Sequence, residues 1–420
     1  MTEPGWVGHA VWWQAYPLGA TGADTTGADR SRGGGLDRLL PWLDHAVALG
    51  ASGVALGPVF ASSSHGYDTV DHFRVDDRLG GDAAFDRFVA AARERGLRVL
   101  LDGVFDHVGR EHPWVTAGDA RYLARAGDGW RVFEGHDGLV VLDHSSPAVA
   151  DHVVAVMTHW LGRGADGWRL DAAYAVPTRF WAEVLPRVRD VHPDAYVVGE
   201  VIHGDYSRSV REGRLDAVTQ YELWKAIWSS LRDRNLFELT HALGRHDDLL
   251  TTFVPWTFVG NHDVTRIASQ VGDPRHRGHA DAVLFTVAGT PAVYHGDEFD
   301  ADGVKEDRVG GDDAVRPELP EDPTPPTAAA ADAMRRHQEL IGLRRRNAWL
   351  HRATTEVVQL TNTTLVYDAR SAEGEQRLRV LLNLDDAPLT AAGAELLAGA
   401  GSVQAATVTV PAHGWAVVRP

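Results

Sequence analysis

The sequence predicts an α/β protein: a (β/α)8 TIM barrel with a short insertion after the third strand and a C-terminal antiparallel β domain. Three observations point to it. Eight short apolar runs bounded by Gly or Pro alternate with helical patterns between residue 11 and about 300. A long stretch separates the third run from the fourth, and from Thr355 onward the pattern changes to alternating strands. Continuous apolar runs suit parallel strands buried on both faces, and regular strand–helix alternation is how such strands close into a barrel. A doubly wound open sheet alternates in the same way, and periodicity does not separate the two.

The eight runs are residues 11–16, 52–59 (SGVALGPV), 97–105 (LRVLLDGVF), 164–170, 195–199 (AYVVG), 215–219, 252–259 and 291–294. The helices between them carry punctuation. Asp82 is the expected cap of a segment in which Phe85, Phe88, Val89 and Ala92 follow the i, i+3, i+4, i+7 spacing, and Gly96 closes it. Ser146 and Pro147 open another, with Val149, Val153, Val156, Met157 and Trp160 on one face. Residues 108–144 are too long for a simple crossover and carry Trp114, Tyr122, Trp130 and Phe133, as a small inserted subdomain would. Packing is the first expectation for these rings, ahead of sugar binding.

Residues 299–327, rich in Asp, Glu, Gly and Pro, read as a long loop rather than packed structure. A helix is expected over 331–346. Strands follow as EVVQL, TLVYDAR, RLRVLLNL and VTVPAHGWAVV. This divides the chain into a barrel over 1–350, with the insertion at 108–144, and a β-sandwich-like domain over 351–420.

Composition removes several classes of function. The 420 residues include no cysteine, which excludes disulfides, thiolate metal sites and a cysteine nucleophile. A net charge of −17 argues against a nucleic-acid partner, because a phosphate backbone needs a basic face. No apolar run approaches the roughly 18–20 residues that span a bilayer, so no membrane is expected. The opening MTEPGWVGHA has neither a basic nor an apolar segment, and the expectation is a cytoplasmic protein. None of the 21 histidines sits in an HExxH pattern, so no catalytic metal is expected.

The useful chemical signal is a constellation at strand ends. Arg169 and Asp171 stand two apart on one strand, so both project to the same side. A guanidinium beside a carboxylate keeps it ionised and oriented, which suits a nucleophile. Glu200 follows the fifth run at its C-terminal end, where barrel enzymes place reacting groups. Asp263, beside His262, ends the seventh run, and Asp102 and His107 mark the end of the third. Taken singly, Arg169–Asp171 would be a structural ion pair, His107 and His262 satisfied core histidines, and Tyr67 a core aromatic. Together they offer the two carboxylates that glycoside hydrolysis needs.

The combination resembles the α-amylase family of glycoside hydrolases (family 13). The segments HGYDTVDHF (65–73), DGVFDH (102–107), GWRLDAA (167–173), GE (199–200) and FVGNHD (258–263) are similar to the family's ordered motifs. VWWQAYP (11–17), GVALGPVF (53–60), GTPAVYHGDE (289–298) and PAHGWAVV (411–418) support the resemblance, which runs over essentially the whole chain. It implies that Asp171 is the nucleophile of a retaining mechanism, Glu200 the general acid/base and Asp263 the stabiliser of the transition state. It also implies that Arg169, His107 and His262 line the cleavage subsite, with Tyr67 as a stacking platform and Asp102 as a support. No cofactor is required for that chemistry.

Departures bear on specificity. Tyr174 and Ala175 stand where many starch-degrading members carry Lys-His, which argues against endo-action on long starch. Asp106 replaces the family's usual Asn before His107, leaving structural calcium open. DAVTQYEL (216–223) leans toward the cyclomaltodextrinase and neopullulanase side. The expected function is cleavage of α-glucosidic bonds in short or cyclic gluco-oligosaccharides. A transglycosylase or isomerase on the same scaffold is the alternative, and a non-catalytic carbohydrate-binding protein is a remote one. Linkage, exo or endo action and oligomeric state are not fixed by the sequence.

Overall fold

A computed structural model describes residues 3–308 and 310–420. Eight parallel strands form one sheet: β1 (Trp12–Ala15), β2 (Gly53–Leu56), β3 (Arg98–Gly103), β4 (Gly167–Leu170), β5 (Tyr196–Gly199), β6 (Ala217–Val218), β7 (Trp256–Phe258) and β8 (Thr290–Tyr294). Their order is β6-β5-β4-β3-β2-β1-β8-β7. A parallel bridge between Thr219 and Trp256, with Gln220 N–H donating to the Trp256 carbonyl at 2.9 Å, joins the two edges. The sheet is therefore a closed barrel, and the open doubly wound alternative is excluded. All eight expected runs become strands. The run 252–259 shrinks most, contributing only Trp256–Phe258 to the ladder.

The helices pack outside the barrel: α1 (Leu40–Leu49), α2 (Gly81–Glu94), α3 (Pro147–Gly162), α4 (Thr178–Val191), α5 (Tyr206–Gly213), α6 (Tyr221–Asp233), α7 (Leu236–Leu249), α8 (Arg277–Thr286) and α9 (Ala328–Arg346). In α2 the buried stripe is Ala84, Phe85, Phe88, Val89 and Ala92. Asp82 is not its cap. Gly80, at φ +85°, holds that place, and Asp82 lies in the first turn with its Oδ1 accepting from Val75 N–H at 2.9 Å. Ser146 does precede Pro147 at the start of α3, but its hydroxyl donates to the Arg121 carbonyl instead of capping. Helix α9 begins three residues before the expected start, because the Thr327 hydroxyl accepts from Ala330 N–H.

The stretch between β3 and α3 builds a three-stranded sheet from His107–Gly109, Val132–Phe133 and His136–Val141, plus a small hairpin. Trp114 stacks on Tyr122 with ring centroids 3.9 Å apart, so it is a packing residue. Trp130 lies against the Arg125 guanidinium. Phe133 instead stacks on His107 and reaches the cleft described below.

Strands β9 (Thr354–Leu360), β10 (Thr364–Arg370), β11 (Arg377–Asn383), β12 (Leu389–Ala392), β13 (Glu395–Gly399), β14 (Ser402–Gln404), β15 (Thr407–Val410) and β16 (Trp415–Arg419) follow α9. They form a five-stranded and a three-stranded antiparallel sheet around a small core that includes Val366, Leu381, Val408 and Val418. The apolar run VTVPAHGWAVV is two strands in different sheets, because Pro411–Gly414 turns the chain between them. Strands β12, β13 and β14 have too little alternation to be read from sequence. Among the described residues no helix is long and apolar enough to cross a membrane.

A cluster of neutral imidazoles joins the insertion to the barrel. His72 Nε2 donates to the Val104 carbonyl at 3.0 Å, so its bare Nδ1 accepts from His152 Nε2 at 3.3 Å. His112 Nδ1 accepts from Trp114 N–H nearby. Burial depresses His72 to about 4 and His112 and His152 to about 3. Groups depressed in the folded state contribute stability above their unfolded value near 6.5 and lose it as pH falls through the folded value, on the order of 3 kcal/mol for His72 alone. The melting temperature followed by circular dichroism is expected to fall steeply between pH 6.5 and 4. In His152→Gln the fall should be shallower.

Candidate active site

The C-terminal ends of the barrel strands converge on Arg169. In β4, Arg169 is in register with Asp102 of β3, so parallel pairing alone sets their inward side chains side by side. Arg169 Nη1 lies 2.7 Å from Asp102 Oδ2 and 3.3 Å from Asp171 Oδ1, while Nη2 lies 2.7 Å from Glu200 Oε1 and 3.8 Å from Asp263 Oδ2. One guanidinium thus faces four carboxylates. Asp171 and Glu200 extend the barrel ladder one residue beyond their strands: Asp171 N–H donates to the Gly103 carbonyl at 3.0 Å and Glu200 N–H to the Leu170 carbonyl at 2.9 Å. Their placement follows from the strands rather than from flexible loops.

Further donors fix the acids. Glu200 Oε1 accepts from the Tyr221 hydroxyl at 3.0 Å, and Oε2 accepts from Ala172 N–H at 3.0 Å. Ala172, next to Asp171, sits at φ +45°, a strained conformation for a residue with a Cβ. It points its N–H at Glu200 and so couples the two carboxylates through the backbone. Asn261 donates to Tyr221 Oη at 2.9 Å and accepts from Asp263 N–H at 2.8 Å, which ties the β7 end to Glu200.

Asp263 is the charged pole of the site. His262 Nε2 lies 3.0 Å from its Oδ2, and Arg316 Nη2 lies 2.9 Å from its Oδ1. Against the effect of burial, His262, Arg316 and Arg169 hold Asp263 far below the usual carboxylate range. Asp171 behaves oppositely: burial and then the Glu200 charge push it up, with Arg169 pulling down. Asp102 is also raised, because burial outweighs its pairing with Arg169.

All seven residues singled out from the sequence come together. Tyr67, His107, Asp171, Glu200 and Asp263 line one cavity of about 1160 Å³. Arg169 and His262 lie one layer beneath its wall, 7% and 1% exposed, because protein groups already occupy them. The His262 ring lies parallel to those of Tyr16 and Tyr67 and meets the Tyr67 hydroxyl through Nε2. His107 donates from Nε2 to the Tyr67 carbonyl at 3.1 Å.

Sequence reasoning missed Arg316, Tyr221 and Tyr16. Arg316 belongs to the stretch 299–327, which is irregular but not loose: Val315 is fully buried and Tyr294 Oη donates to its carbonyl at 2.9 Å. From that anchor the Arg316 guanidinium covers the Tyr16 ring and donates through Nε to the His262 carbonyl. The available signal was an arginine between Asp312–Asp313 and Glu318, in a segment where acids outnumber bases.

The calcium left open by Asp106 can be tested on its surroundings. Asp106 Oδ1 is buried without a hydrogen-bond partner. Among the described residues, however, Asp106 belongs to no group of three His, Asp or Glu ligands. One free carboxylate oxygen falls short of the six to eight oxygens calcium takes.

With this geometry in hand, the chain can be compared with known proteins. The family model described as "Alpha amylase, catalytic domain" matches residues 20–128 and 127–354. The chain belongs to the α-amylase family. It is a glycoside hydrolase of that family, acting on O-glycosyl bonds. It is 28% identical over 424 residues to a cyclomaltodextrinase of Bacillus sp, covering 91% of this chain and 74% of that enzyme. It is 27% identical to neopullulanase 2 of Thermoactinomyces vulgaris, covering 91% of this chain and 70% of the relative. The solved cyclic α-maltosyl-(1→6)-maltose hydrolase of Arthrobacter globiformis superimposes with a TM-score of 0.84 at 24% identity, covering 99% of both chains, which shows the shared fold.

Arg316 gives the first test on the enzyme. Arg316→Ala leaves Asp263 Oδ1 without its guanidinium partner, so kcat/KM on an α-linked chromogenic glucoside should fall about 100-fold, and about tenfold in Arg316→Lys. Steady-state kinetics checks both. Wild-type values in Arg316→Ala would reduce the residue to a loop anchor.

Proposed function

We propose that this glycosidase cleaves α-glucosidic bonds in short or cyclic gluco-oligosaccharides with retention, through a covalent glycosyl-enzyme on Asp171. The observation that carries the reading is the Arg169 fork, with Asp171 and Glu200 on its two adjacent terminal nitrogens. Retaining glycosidases need a close carboxylate pair, whereas inverting ones leave room for a water between them. In the first step Glu200 gives its proton to the departing glycosidic oxygen while Asp171 Oδ attacks the anomeric carbon. In the second Glu200 takes a proton from water, the hydroxide adds to that carbon, and Asp171 leaves.

Asp263, held ionised by His262 and Arg316, accepts hydrogen bonds from sugar hydroxyls and stabilises the positive charge that develops in the ring. Tyr67 and His107 form the wall against which the sugar rests. Arg169 orients the carboxylates from beneath and keeps the cluster from accumulating uncompensated charge.

Two observations support a short or cyclic substrate. Tyr174 Oη donates to Glu134 Oε1 at 2.8 Å, tying the loop after β4 to the inserted sheet and narrowing the cleft beside Glu200. The relatives include enzymes named cyclomaltodextrinase and neopullulanase. A relative named intracellular maltogenic amylase, from Bacillus subtilis, is 27% identical over 337 residues and supports a cytoplasmic location.

Product chromatography on maltotriose, a cyclic maltodextrin and soluble starch tests the reading. Small or cyclic sugars should be consumed first, and Asp171→Asn and Glu200→Gln should each lose about 10⁴-fold in kcat with unchanged circular dichroism. Starch cleaved fastest would contradict the substrate assignment, and longer or re-linked products would identify transfer to a sugar acceptor instead of water. Glu134→Gln and Tyr174→Phe, which loosen the tie, should each raise activity on starch relative to maltotriose severalfold.

A further inference from the structure

Away from the cleft, one group of metal-ligating side chains bridges the barrel and the C-terminal sheets. Asp273 caps the single 3-10 turn Pro274–His276 that precedes α8, and His276 is its last residue. Residues three apart eclipse in such a turn, so both side chains leave on the same side. His413 reaches them from the turn between β15 and β16. The ligand atoms of all three lie within 4.8 Å of one another, and no other group of three does so among the described residues.

Two further features resemble the surroundings of a bound metal. His413 Nε2 donates to Asp386 Oδ1 at 2.7 Å, which leaves Nδ1 bare and aims it at His276 Nε2, 3.0 Å away. A carboxylate behind the outer nitrogen of an imidazole fixes the tautomer and raises the basicity of the inner one, as it does for metal-bound histidines. His276 is 1% exposed and its Nδ1 has no partner. Its present partner uses Nε2 alone. Moving the ring proton to that unused Nδ1 frees Nε2 as a second bare donor.

We propose that Asp273, His276 and His413 bind one divalent transition metal of the zinc class, clipping the loop after β7 to the C-terminal domain. The donor set is two imidazole nitrogens and one carboxylate oxygen, suited to zinc, with the fourth position open to water because Asp273 is 30% exposed. Arg275 already holds the Asp273 carboxylate, with Nη2 2.7 Å from Oδ2, and so orients it. Oδ1 also accepts from Arg275 N–H at 3.0 Å and from Nε at 3.1 Å, so the metal takes a lone pair of Oδ2. None of the three ligands lines the catalytic cavity. The site therefore acts on stability and leaves turnover alone.

The test strips the full-length protein with a chelator and titrates it with zinc chloride alone, by calorimetry and by thermal melting. One equivalent should bind and raise the melting temperature by several degrees. His413→Asn, chosen because asparagine tolerates the φ of +55° at that position, and Asp273→Asn should each weaken binding at least tenfold. Both should melt near the zinc-free wild type and keep wild-type turnover. Absence of a bound equivalent in the wild type, or zinc retained with wild-type affinity in both variants, overturns the proposal. Should one variant fail to fold, the other decides.

Discussion

A guanidinium buried among four carboxylates is a costly thing to place inside a protein, since each charge gives up water and repays it only through close pairing. Arg169 is affordable here because the barrel supplies its partners by register. Asp102 stands opposite it in the neighbouring strand, Asp171 stands two residues further along its own, and Glu200 ends the strand on the other side. A shift of one residue in β4 would turn Arg169 and Asp171 away from the barrel axis and leave Asp102 buried without a counter-charge. Closure of the sheet and assembly of the site are in this sense one event. The strained Ala172 belongs to it as well, because its N–H is spent on Glu200.

Around that centre the acids are pushed apart in character. Asp263 gathers His262 and Arg316 and stays ionised, whereas Asp171, which has only a share of Arg169, is raised by burial and by its neighbour. The aromatic rings do the supporting work. Tyr16 and Tyr67 flank His262 with parallel rings, the Tyr67 hydroxyl meeting its Nε2, and Arg316 lies over Tyr16. Desolvation of the cluster follows from that packing.

The barrel was legible because each strand is an unbroken apolar run between breakers, and Arg169 with Asp171 was legible because i, i+2 on a strand means one face. The five cavity-lining residues were legible because the segments 65–73, 102–107, 167–173, 199–200 and 258–263 resemble the family's motifs. Arg316 was not legible: irregular chain has no period, and only the burial of Val315 and the Tyr294 hydrogen bond show that the acidic stretch is packed. Tyr221 was hidden as the first residue of an amphipathic helix, where an aromatic reads as core. Asp82 misled because a cap and a first-turn acid look alike in sequence. The long apolar run at 408–418 merged two strands because proline and glycine inside it signal a turn but not a change of sheet.

The central claim is that Asp171 becomes covalently bonded to the sugar while Glu200 manages the proton. The most direct measurement is intact-protein and peptide mass spectrometry of Glu200→Gln after incubation with an activated fluorosugar, an α-glucosyl fluoride whose added ring fluorine slows the second step. Because fluoride leaves without an acid, the variant should still form the adduct and fail to release it. One added fluoroglucosyl mass is expected on the peptide that carries Asp171, absent in Asp171→Asn. An adduct on Asp263 or Asp102, or none with the sugar still consumed, would contradict it.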